Sequence, residues 1–80
     1  MREDEKRTVQ GKIAIVQEQR FRLMSDGGQT LLFTLAESAP LEGSDLQRFH
    51  QQGARVQVEY AGEPNVNTGV AYRVQVLELA

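Results

Sequence analysis

His50 is the only histidine in the chain, and there is no cysteine. Catalysis at His50 would need a nucleophile on one ring nitrogen and an orienting acid on the other. The serines have local roles instead: Ser25 in a turn, Ser38 in a loop, Ser44 at a helix start. Asp26 belongs to the same turn as Ser25, and Asp45 to the first turn of the helix, so no carboxylate pair stands out for general acid–base work. One histidine without cysteine excludes the common zinc frameworks. Asp26-Gly27-Gly28 lacks the spaced acids of a calcium loop. Gly27-Gly28 and Gly53 each lead into a strand rather than a helix, which is the wrong context for cradling phosphate. The expectation is a non-enzymatic protein with no cofactor and no metal.

Recognition is the chemistry that remains. Arg20, Arg22 and Met24 alternate with Phe21 and Leu23, and Thr30, Leu32 and Thr34 alternate with Leu31, Phe33 and Leu35. A period of two puts the first and third of these sets on the outward face of two adjacent strands. Lys12 and Arg73 are expected to border that face. Arginine beside apolar Met24 and Leu32 suits a protein or peptide contact. An ordinary solvated sheet face is the bland alternative. Single-stranded nucleic acid is disfavoured, because Phe21, Phe33, Tyr60 and Tyr72 share the parity of the core positions and leave no ring for base stacking. A register error of one residue would exchange the faces and expose the phenylalanines. The loop from Ala61 to Gly69, with Asn65 and Asn67, is the second candidate contact.

Five strands and one helix position these residues. Thr8–Gln17 alternates as a first strand with Val9, Gly11, Ile13 and Ile15 on one face. Gly11 inside it marks a bend, a bulge or a close backbone approach. Arg20–Ser25 and Gln29–Leu35 form a hairpin across Asp26-Gly27-Gly28. Leu41–Gly53 holds the one helix. Ser44 is read as its N-cap, Gln47 completes a capping box, and Gly53 is its C-terminal cap. Leu46, Phe49 and His50 share a face there. Arg55–Tyr60 is the fourth strand, with Val56, Val58 and Tyr60 inward. Val70–Leu79 is the fifth, with Val70, Tyr72, Val74 and Val76 on one face.

Three strands, a helix and two strands is an order that resembles the OB-fold, a five-stranded Greek-key barrel. The resemblance covers residues 8–79. It implies a mostly β barrel with one short helix between strands 3 and 4 and a first strand bent to pair on both sides. The runner-up is an SH3-like barrel, whose helical turn usually precedes the last strand. Such barrels are often only partly closed between strands 3 and 5, which offers an edge for a dimer. Gln17–Gly28 and Arg55–Pro64 also resemble segments of short uncharacterised bacterial proteins, which implies a bacterial origin and transfers no activity.

Eighty residues make a single domain, read as 8–80 after a charged tail at 1–7. The net charge is −2, and residues 8–80 hold six Lys or Arg against eight Asp or Glu. That balance argues against phosphate gripping as the main task. No apolar run is long enough to span a membrane, and residues 1–7 lack the apolar region of a signal peptide. With a cysteine-free composition, the expected compartment is cytoplasmic.

Overall fold

The computed structural model describes residues 6–79. Its elements are β1 (Arg7–Gln17), β2 (Arg20–Ser25), β3 (Thr30–Leu35), α1 (Gly43–Gln51), β4 (Arg55–Ala61) and β5 (Gly69–Glu78). The strands close a barrel in the order β1-β2-β3-β5-β4, and β1 meets β4 to complete the ring. Every pairing is antiparallel except β3 with β5, which is parallel. The helix lies between β3 and β4, not before the last strand, where the SH3-like alternative usually has it. The arrangement is compatible with an OB-like barrel. Among the described residues, no helix is long and apolar enough to cross a membrane.

β1 pairs with β4 over Arg7–Lys12 and with β2 over Gly11–Gln17, so Gly11 and Lys12 are shared by both ladders. The strand has to bend there. A Cβ on Gly11 would lie 2.2 Å from the Met24 carbonyl oxygen, so no side chain fits at the crossing. Beyond the bend, Ala14 is an extra residue between the Ile13–Leu23 and Ile15–Arg22 pairs. A bulge of this kind reverses the parity of the residues beyond it. Ile15 therefore turns outward, 47% exposed, and Val16 packs on the core in its place.

The core follows the alternation of β2, β3 and β4. Phe21, Leu23, Leu31, Phe33, Leu35, Val56 and Val58 are all buried. Phe33 stacks on Phe21 and meets Tyr60 edge-on, both at 5.3 Å between centroids. β5 departs from the expected face. Tyr72 is an extra residue between the Tyr60–Ala71 and Glu59–Arg73 pairs, and Leu77 is another between Val56–Val76 and Arg55–Glu78. The inward positions are thus Gly69, Ala71 and Val74, while Val70 and Val76 are exposed.

α1 packs against β1, with Leu46 fully buried in the core and Phe49 partly so. Its N-cap is Glu42 rather than Ser44, and the box residue is Asp45 rather than Gln47. The Glu42 N–H donates to Asp45 Oδ2 at 2.8 Å. Gly53 ends the helix with φ +64, and its N–H donates to the His50 carbonyl. Of the expected tail, residues 1–5 lie outside the described residues. Lys6 sits over the Tyr72 ring, and Arg7, already in β1, covers Tyr60.

Candidate interaction surface

The outward face of the hairpin is built by register. Arg20 lies opposite Thr34, Arg22 opposite Leu32, and Met24 opposite Thr30. On the other side of β2, Lys12 is opposite Met24 and Ile15 opposite Arg22. The bulge at Ala14 is what delivers Ile15 to this face. Two sets of contacts at its turn hold the hairpin in place. At the tip, the Ser25 N–H donates to the Gln29 carbonyl at 2.8 Å, and the Gln29 N–H donates to Ser25 Oγ at 3.1 Å. Asp26 binds the Arg55 guanidinium, which also donates to Gln10 Oε1 at 2.7 Å. The Arg55 hydrogen bond holds the Asp26 carboxyl below its ordinary range.

The β4–β5 loop folds over the edge of this face. The Leu32 N–H donates to the Pro64 carbonyl at 3.1 Å, and Pro64 is buried against Gly69. The Val66 and Asn67 N–H groups both donate to the Glu63 carbonyl, which closes a compact turn. The turn presents Asn65, Val66 and Asn67 to solvent beside Arg22, Thr30 and Leu32. A second shallow recess joins Ile15, Arg20 and Arg22 to Leu32. The structure therefore brings Arg22, Leu32, Asn65 and Asn67 together. It adds Arg20 through the second recess and Met24 along β2, 43% exposed.

Two expectations change. Arg73 does not border this surface: it lies opposite Glu59 on the β4–β5 side, in a recess with Thr8, Gln57 and Gln75. Ile15 and Val66 belong to the surface, although alternation alone does not place them there. The four-residue apolar run Ile13–Val16 is a signal for the first, because strict alternation fails there. Val66 has none beyond being apolar within a polar loop.

Electrostatics separates this surface from its neighbour. Neither of its two recesses is lined by a carboxylate. Among the described residues, Lys12, Arg20 and Arg22 take part in no ion pair, whereas Arg48 and Arg55 do. A recess of about 780 Å³ between the β1–β2 turn and the start of α1 is the opposite case. It is lined by Glu18, Glu37, Glu42 and Asp45 without a single Lys or Arg. Its four carboxylates oppose an anion there, and the Glu42 N–H is already engaged by Asp45 Oδ2.

His50 is exposed and makes no side-chain hydrogen bond or ion pair with the described residues. No group of three or more His, Cys, Asp or Glu among the described residues is placed to hold a metal. Comparison with protein-family models, with curated proteins and with solved structures returns no match to the chain.

Proposed function

We propose that the chain is a non-enzymatic interaction module of OB-like topology, which takes a protein or peptide partner across the outward face of β2 and β3. The observation that supports this is the joining of Arg20 and Arg22, in recesses that no carboxylate lines, to exposed Ile15, Met24 and Val66, with Lys12 beside Met24. Apolar contact supplies affinity and the arginines supply orientation, a division common at protein interfaces. The occupant is a segment that sets Asp or Glu beside an apolar side chain.

A single nucleic-acid strand is the second reading. Barrels of this topology bind such strands on the same face, and the same cations would meet the phosphates. Phe21 and Phe33 are 1% and 0% exposed, so neither ring of β2 and β3 is offered to a base.

Selection from a random peptide display library, followed by amide-shift mapping, tests the proposal. Enriched peptides should carry an acid next to an apolar residue. Their shifts should fall on residues 20–24, 30–32 and 64–68, and Arg22→Glu should remove them. No enrichment, or shifts on another face, overturns the reading. Shifts on these same residues with random single-stranded DNA or RNA, lost steeply as salt rises, would put nucleic acid in its place.

A further inference from the structure

β5 has only one neighbour for most of its length. Its pairing with β3 stops at Ala71, where the Ala36 N–H donates the last bond at 2.8 Å. From Tyr72 to Glu78, only β4 pairs with it among the described residues. This free edge carries no lysine and no proline, two of the usual devices that blunt an edge. Beyond buried Val74, its inner face is also uncovered. Val76 lies opposite Val56, yet Val76 is 38% exposed and Val56 is 0%. Leu77 beside it is 41% exposed.

The bulge at Leu77 decides how the edge is charged. Arg73, Gln75 and Glu78 lie opposite Glu59, Gln57 and Arg55, so all three point outward. With Leu77 looped out, Arg73 and Glu78 stand equally far from Gln75 along the strand. An antiparallel second copy, related by a two-fold axis at Gln75, then places Arg73 of each copy against Glu78 of the other. Gln75 meets its own mate, and Val74 meets Val76 on the inner face. Opposite charges directly across a ladder attract and like charges repel, and a two-fold contact repeats each pair. Among the described residues, neither Arg73 nor Glu78 is in an ion pair that would have to be broken.

We infer that the chain associates with a second copy through the free edge of β5, in the register that pairs Arg73 with Glu78 across a two-fold axis at Gln75. This edge is separate from the surface proposed for a partner, and the two readings stand or fall independently.

Sedimentation velocity over a concentration series tests the inference. The wild-type protein should form a dimer. Arg73→Glu and Glu78→Arg each set like charges opposite one another and should be monomeric. An equimolar mixture of these two variants should dimerise again, as should the double swap R73E/E78R. Circular dichroism checks that each variant is folded, and Gln75→Lys, which sets two ammonium groups on the axis, serves should either swap fail to fold. A wild-type protein that stays monomeric up to millimolar concentration overturns the dimer. Single swaps or Gln75→Lys that dimerise as the wild type does overturn this register.

Discussion

The crossing at Gly11 leaves no room for even one methyl group. A Cβ there would meet Met24 backbone at 2.2 Å, and backbone cannot swing aside as a side chain can. Gly11→Ala should therefore cost at least the about 1–3 kcal/mol of ordinary overpacking, read as a lower urea midpoint. An unchanged midpoint would mean that β1 and β2 run further apart. Phe33, at 0% exposure between two other rings, should cost about 3–5 kcal/mol when cut to alanine. Arg22→Ala should stay within about 0.5 kcal/mol, because Arg22 is exposed and in no ion pair among the described residues. A large loss there would assign Arg22 to the fold rather than to a partner. Gly11 and Phe33 are legible in the sequence, since one breaks and the other obeys a simple alternation. Ile15 is only partly so: the apolar run Ile13–Val16 shows that alternation fails there, but not where the bulge falls or which residue it turns outward.

At the scale of elements, tertiary contact overrides local preference at the start of α1. Ser44 is the better cap by residue type, yet the helix begins at Gly43, where a Cβ would lie 2.3 Å from the Glu18 carbonyl oxygen. That close approach to the β1–β2 turn fixes the helix start and hands the capping role to Glu42 and Asp45. The Glu42 N–H, and then Arg48, hold the Asp45 carboxyl below its ordinary range. Asp26 is lowered as well, by Arg55. A carboxyl depressed on folding contributes stability above the unfolded value of about 3.9 and loses it as pH falls through the folded value. The stability gap between the wild type and Asp45→Ala should therefore be constant near neutrality and shrink as pH drops below about 4. A gap that keeps its neutral size down to the lowest accessible pH would show that the carboxylate charge plays no part in the cap. The strands of the hairpin are readable to within a residue because alternation and turn chemistry agree there. The face of β5 is hidden for the same reason as Ile15, with bulges at Tyr72 and Leu77 that side-chain type does not announce.

For the whole molecule, order and type of the elements are enough to reach a five-stranded barrel, because few ways exist to bury these alternating faces around one short helix. Closure is a different matter. It depends on how far two distant strands run side by side, which no local pattern encodes. The barrel shuts through Phe33–Leu35 against Gly69–Ala71 alone, while β4 and β5 stay paired from Arg55 to Ala61. Local opening costs least where the fewest interactions must break. The β3–β5 seam should therefore part while the β1–β4–β5 sheet stays intact. Native-state hydrogen exchange of the monomer checks this: the Ala36 amide, bonded across the seam to Ala71, should exchange through an opening insensitive to low denaturant. Val56 and Val58, fully buried in the middle of β4, should exchange only through global unfolding. Equal protection at all three amides would mean that the seam is as strong as the antiparallel ladders and that the barrel opens as one unit.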